Sequence, residues 1–234
     1  LTTLHILPAF DIATVDEDAA SRVDITDTVG KLCDVKPAAA LCGNEDENKT
    51  IEDVLDGYDP STGDAQALMN DLRMLDSFNW GYDPLNYNVP EGSYSAGPGT
   101  PESRIWEFKN MVNRLHQHEL RVVMDVAYNH TGPTENSNFN TLVPGYSYRQ
   151  NAEGGFSNAS GCGNETASER PMMRKFMVES VAYWAEQYQV DGFRFDLMGM
   201  HDLETMKAIR VRLDAIDPNI LMYGEGWMAG DTPL

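Results

Sequence analysis

The sequence predicts an α/β fold with a parallel sheet, of the kind that closes into a (β/α)8 TIM barrel. Three observations predict it. Short apolar runs alternate with amphipathic segments of helical period, which is the pattern of parallel βαβ units. Two of those runs close on acids, Asp196 and Glu225, and the ends of parallel strands are where such a barrel builds its active site. No Gly-rich phosphate loop follows a strand, so an open doubly wound sheet lacks its usual signature. The chain has 234 residues, near or below the roughly 250 of such a barrel. Four strands are visible where eight are needed. The start at Leu1 without Met and the end soon after Glu225 read as a piece of a longer protein. Residues 1–234 are therefore expected to be a partial catalytic barrel.

The elements follow in order. Leu4-His-Ile-Leu-Pro8 reads as a buried strand stopped by proline. Residues 11–78 are polar and acidic and read as an insertion into the scaffold. Within it, Leu68, Leu72 and Leu75 share one face of a short helix over Ala65–Leu75. Arg104–Leu120 is amphipathic, with Ile105, Phe108, Met111, Val112 and Leu115 at helical spacing, and Arg121–Val126 follows as a strand. Residues 131–168 read as a long loop rich in Gly, Asn and Ser. Ser168 is the expected N-cap of the next helix, with Pro171 in its first turn. That helix runs to about Gln189. Its stripe of Met173, Phe176, Met177, Val181, Trp184 and Tyr188 reads as core. Val190–Asp196 is a strand, His201–Ile216 a helix headed by a His201-Asp202 capping pair, and Asn219–Glu225 a strand.

A formal net charge of -20 argues against nucleic acid and anionic membrane as partners, because like charges repel. It suits a neutral polymer, a cation or a salty medium, and it also suits plain surface acidity. No apolar run approaches the roughly 18 residues of a membrane span. Cys33 and Cys42 suit a local disulfide in an exported protein, or stand as two free thiols. Cys162 reads as a loop thiol, since no histidine is near it in sequence.

Glycosidic bond cleavage needs two carboxylates with separate roles. Asp196 follows Arg194 by two, so the pair shares one strand face. The guanidinium is expected to keep Asp196 ionised, which suits a nucleophile. Glu225 lies between Gly224 and Gly226, with Tyr223 and Trp227 as flat faces for a sugar ring. An acid in such an aromatic, partly dry setting can donate a proton. Asp125, Asn129 and His130 close the strand before the long loop with groups for sugar hydroxyls or a cation. Trp80 and Tyr82, in Asn79-Trp-Gly-Tyr-Asp-Pro84, offer a stacking platform. A metal-dependent hydrolase would use Asp125, His130, Asp196 and Glu225 as ligands. That reading lacks a second histidine at ligand spacing.

Together these segments resemble the α-amylase superfamily, glycoside hydrolase family 13, and within it the type I pullulanase group. Asp125-Val-Ala-Tyr-Asn-His130 resembles the first family motif, Gly192-Phe-Arg-Phe-Asp196 the second and Gly224-Glu225-Gly-Trp227 the third. Asn79–Pro84 resembles the signature that marks pullulanases. The resemblance implies that this chain covers roughly the second to fifth strands of the barrel, with a long insertion after the second. It implies hydrolysis of α-1,6-glucosidic branch linkages in pullulan, amylopectin and related α-glucans by a retaining double displacement. It makes Asp196 the nucleophile and Glu225 the acid/base. Arg194 would orient and charge-pair Asp196, His130 would hydrogen-bond the sugar at the cleavage subsite, Tyr82 would stack on that sugar, and Asp125 would support the site. Isoamylase, neopullulanase, α-amylase or a non-catalytic α-glucan-binding fragment are the alternatives. No cofactor is implied; Asn129 matches a calcium ligand of many α-amylases, a site that pullulanases often lack. The Cys33–Cys42 pair and a secreted or cell-surface bacterial setting are implied as well. The family's third carboxylate finds no match here, so it is expected outside the chain, and these residues alone are expected to be inactive.

Overall fold

The computed structural model describes residues 1–97 and 99–226. In chain order it contains β1 (Thr3–Ile6), β2 (Phe10–Ile12), α1 (Val29–Val35), α2 (Ile51–Asp56), α3 (Asp64–Leu72), β3 (Pro84–Pro90) and α4 (Pro101–Gln117). It continues through β4 (Arg121–Val126), α5 (Asn138–Leu142), α6 (Pro171–Tyr188), β5 (Gly192–Phe195), α7 (Leu203–Ile216) and β6 (Leu221–Gly224). Two compact units result: Leu1–Ala13 with the chain from Trp80 onward, and Thr14–Asn79.

The first unit is built on a parallel sheet in the order β1-β4-β5-β6. In β4, Val122, Val123, Met124, Asp125 and Val126 are all buried, as expected for a parallel strand covered on both faces. Helices α4, α6 and α7 connect successive strands. Met173, Met177, Val181, Trp184 and Tyr188 of α6 are buried, and the Trp184 and Tyr188 rings meet Phe108 of α4 at 5.3 Å each.

Ser168 is not the N-cap of α6. That position is Arg170, which makes no side-chain cap, and Pro171 opens the helix, where a missing N–H costs nothing. Ser168 ties the loop to α7 instead: its Oγ accepts from Asp202 N at 2.8 Å, and its carbonyl accepts from Thr205 Oγ1 at 2.7 Å. The cap of α7 is Asp202 alone, which accepts from Thr205 N at 3.0 Å. His201 is buried beneath it, with Nδ1 3.3 Å from the Met198 carbonyl.

The antiparallel pair β2–β3, with Asp11 opposite Asn86 and Ile12 opposite Pro84, has no counterpart among the expected strands. Asn and Pro are poor strand formers, and they fill β3. The stretch 131–168 contains α5, capped by Ser137, although Asn-Phe-Asn-Thr-Leu shows no apolar repeat.

The second unit has a core of its own. Val23, Val29, Leu32, Ile51, Val54, Leu68 and Leu72 are buried in one cluster. Cys33 and Cys42 are joined by a disulfide at the edge of that cluster, with Cα atoms 5.5 Å apart. Helices α1 and α2, absent from the expected elements, are too short to show a period; Thr28 and Thr50 cap them.

Candidate active site

The strands place the site. Register sets Asp125 beside Arg194 and Arg194 beside Tyr223, so three polar side chains line up across β4, β5 and β6. Asp196 and Glu225 follow at the ends of β5 and β6. Asp196 N donates to the Val126 carbonyl at 2.9 Å, and Glu225 N donates to the Phe195 carbonyl at 3.2 Å, which continues the ladder beyond the strands. Gly224 is required there, since a Cβ would strike the Phe195 carbonyl and the Met198 side chain.

One guanidinium gathers all three acids. Arg194 Nη1 donates to both Asp125 oxygens at 3.0 Å and to Asp196 Oδ1 at 3.2 Å. Its Nη2 lies 2.5 Å from Glu225 Oε1. Asn129 Nδ2 donates to the Asp196 carbonyl at 3.0 Å and to Oδ2 at 2.9 Å. The Tyr82 hydroxyl donates to Asp125 Oδ2 at 2.7 Å, and burial together with that bond pushes its phenol pKa up. Gly81 makes the turn that presents Tyr82. Its φ is +87°, and a Cβ would lie 2.7 Å from the Pro8 carbonyl.

Arg194 does act to lower the Asp196 pKa, but it does not set the net direction. The Asp196 pKa is raised, first by burial and then by Glu225, with Asn129 and Arg194 opposing. The single positive charge is divided among three carboxylates, so desolvation wins.

His130 is buried, with Nδ1 2.6 Å from Asn129 Oδ1 and Nε2 2.7 Å from the Tyr82 carbonyl. Two oxygen acceptors favour the charged ring and burial favours the neutral one. Burial dominates and lowers the pKa. Trp80 is 62% exposed, and among the described residues no contact ties it to the acids. Trp227 lies outside the described residues. Sequence reasoning missed His5, whose Nε2 is 3.5 Å from Asp125 Oδ2 and whose Nδ1 is 3.4 Å from the Tyr223 hydroxyl. Its signal was a polar residue inside an apolar strand.

The chain is similar to several known proteins. A model of the Pullulanase Ins domain matches residues 12–78. The pullulanase of Klebsiella pneumoniae is 39% identical over 97% of this chain and 22% of its own length. The crystal structure of PulA from Klebsiella oxytoca superposes with a TM-score of 0.88 at 38% identity, over 97% of this chain and 23% of that one. The chain is type I pullulanase-like. The pullulanase of Bacillus subtilis (strain 168) is 48% identical over 72% of the pullulanase-like chain and 23% of that protein. A pullulanase of Paenibacillus barengoltzii solved with maltohexaose and alpha-cyclodextrin superposes with a TM-score of 0.72 at 41% identity, over 98% of this chain and 28% of its own. The pullulanase-like chain thus spans about a quarter of the relatives it matches.

Proposed function

We propose that this chain is the part of an α-glucan debranching hydrolase that carries its nucleophile and its acid/base. The observation that carries the reading is the single Arg194 guanidinium holding Asp125, Asp196 and Glu225 at the ends of three parallel strands. In this reading Glu225 protonates the leaving oxygen while Asp196 attacks the anomeric carbon. Water then attacks the glycosyl-enzyme, with Glu225 acting as base. With Glu225 carrying the proton, the Asp125 and Asp196 carboxylates against one guanidinium still leave the site net negative, which favours an oxocarbenium-like transition state. Asn129 and Arg194 orient the Asp196 carboxylate, and Asp125 orients Arg194. Tyr82 presents its ring face to the sugar, since its hydroxyl already has a partner, whereas His130, buried with both nitrogens engaged, braces Asn129 and Tyr82 instead of binding the sugar itself.

The four parallel strands correspond, on this reading, to the second to fifth of a (β/α)8 barrel, and the third carboxylate belongs to a later strand. The relatives solved with maltohexaose and alpha-cyclodextrin or with maltotetraose support an α-glucan as substrate class. The disulfide Cys33–Cys42 supports an oxidising, extracytoplasmic setting. A calcium ion needs several oxygen ligands. The Asn129 oxygen is engaged with His130 and its amide with Asp196, so these residues do not fit a calcium site, and no step uses one.

Product analysis on pullulan with the full-length protein tests the proposal. Maltotriose is the expected product. Panose, or no cleavage, overturns the α-1,6 assignment. Asp196→Asn and Glu225→Gln are each expected to lower kcat by at least about 1,000-fold.

A further inference from the structure

The turn after Asp196 places a strained residue beside the candidate acid/base. Leu197 has φ 45° and ψ 44°, in the left-handed region that residues other than glycine rarely enter. It is buried, at 7% exposure, so its side chain serves packing and offers the turn nothing. In this conformation its backbone N–H donates to Glu225 Oε2 at 3.0 Å. Gly199 N donates to the Glu225 carbonyl at 2.9 Å, so the same turn grips the residue twice. The other carboxylate oxygen, Oε1, meets Arg194 Nη2. With each oxygen held by a different donor, the plane of the Glu225 carboxyl group is fixed. The far end of the turn is pinned as well. Arg149 Nη1 donates to the Met200 carbonyl at 2.9 Å, and Arg149 is itself paired with Glu165 and Glu169. Strain of this kind persists only where its surroundings over-determine it, and it clusters at functional sites.

We infer that Leu197 is a positioning residue: its left-handed backbone aims its N–H at Glu225 Oε2 and so orients the carboxyl group that serves the leaving oxygen. The inference rests on the hydrolase reading above. It adds a residue whose part is played by backbone geometry rather than side-chain chemistry. Proton transfer tolerates little misplacement, so a shifted turn costs rate without costing substrate affinity.

The test compares three variants in the full-length protein. Leu197→Val puts a β-branched residue where the left-handed region is a true outlier. Leu197→Gly enters that region freely. The α-hydroxy acid analogue of leucine at position 197 makes an ester that deletes only the N–H. Each is assayed on pullulan, whose sugar leaving group needs a proton, and on α-maltotriosyl fluoride with azide. There, fluoride leaves without an acid, and azide attacks the glycosyl-enzyme without a base. Leu197→Val and the ester are expected to lower kcat on pullulan about 10- to 100-fold with KM within about twofold. On the fluoride with azide they are expected to lose less than about threefold. Leu197→Gly is expected to keep the wild-type ratio between the two substrates. If Leu197→Val fails to fold, the ester decides. Equal losses on both substrates, or an ester that behaves as wild type, overturn the inference while leaving the hydrolase reading intact. Wild-type protein that cuts neither substrate overturns that reading and the inference with it.

Discussion

Acids do opposite work in the two units. In Thr14–Asn79 many of them fold the chain locally. Asp16 accepts from Asp18 N, Asp18 from Ala20 N, Asp46 from Asn48 N and Asp59 from Ser61 N, each across two positions and each exposed. Those backbone bonds hold the Asp46 and Asp59 carboxyls below their ordinary pKa. In the sheet unit, Asp125 meets Arg194 across 69 positions of sequence, and Asp196 and Glu225 join them from separate strand ends. There burial raises the pKa of Asp196. An acid that caps a turn two residues away stabilises the turn. Acids carried together by strand register, against desolvation, are placed for chemistry.

The largest effect expected from breaking this contrast is at Arg194. Arg194→Met leaves three carboxylates clustered without their cation. Removing one partner of a fully buried pair costs about 3–5 kcal/mol; this cluster is partly open to solvent, so the cost is expected near the lower end, and pullulan hydrolysis is expected to fall by about 1,000-fold. Urea unfolding and a pullulan assay on the full-length protein check both. An equally large loss of stability from Lys31→Ala would erase the distinction. The Lys31 side chain serves the half-buried Lys31–Asp27 pair, and pairs open to solvent contribute about 0.2–1 kcal/mol.

The next effect lies at the foot of α7. Burial lowers the His201 pKa from 6.5 to about 4, against the backbone groups of Met198, Leu197 and Tyr128, which favour the charged ring. Met198 offers a carbonyl to Nδ1, while the nearby Arg149 charge also opposes protonation. The unfolded chain therefore binds a proton that the folded one refuses. Stability is expected to fall as pH drops below about 6.5 and to level off below about 4, a total of about 3 kcal/mol. Urea midpoints between pH 4 and 7 should show the decline in wild type and a flatter line in His201→Gln. Parallel lines would remove His201 as its cause.

Asp196 gives the opposite sign. Its folded pKa is raised, so the folded state favours the proton. That preference stabilises below the ordinary value of 3.8 and is lost as pH rises through the folded pKa. At pH 7 the ionised carboxylate therefore costs stability, and Asp196→Asn is expected to raise the unfolding midpoint while abolishing activity. The gain should vanish in acid. A lower midpoint at pH 7 would mean that Arg194 and Asn129 outweigh burial after all.

These sites differ in how legible they were. Helices α4 and α6 are long enough for a period, and β4 is apolar enough for a buried strand, so all three could be read directly. The Arg194–Asp196 pairing followed from strand alternation. The sharing of Arg194 with Glu225 did not, because it depends on the register of a neighbouring strand. Nor did the Asp196 shift, because burial is set by everything packed around the strand end. Leu197 gave no signal at all: residues other than glycine, asparagine and aspartate rarely enter the left-handed region, so nothing in a leucine points to such a turn. In Thr14–Asn79, the apolar residues of α1 and α2 are too few per helix for a pattern, and their burial emerges only when Val29, Leu32, Ile51 and Val54 meet in one cluster.

The smallest effect tests the local side of the comparison. Helices α1 and α2 begin as a reciprocal pair. Val29 N donates to the Lys49 carbonyl and Ile51 N to the Asp27 carbonyl, both at 2.9 Å. One step outward, Gly30 N donates to the Glu47 carbonyl and Glu52 N to the Ile25 carbonyl. Thr28 Oγ1 caps α1 by accepting from Lys31 N, and Thr50 Oγ1 caps α2 by accepting from Asp53 N. Either Thr→Ala substitution is expected to cost about 1 kcal/mol. Because the two helix starts are bonded to each other, the double variant should depart from the sum by at least about 0.5 kcal/mol. Thermal unfolding of the full-length variants measures the cycle. Strict additivity would mean that each cap acts alone. A fall in kcat on pullulan would mean that Thr14–Asn79 also serves the chemistry, and the division between folding acids and the acids proposed for catalysis would have to be redrawn.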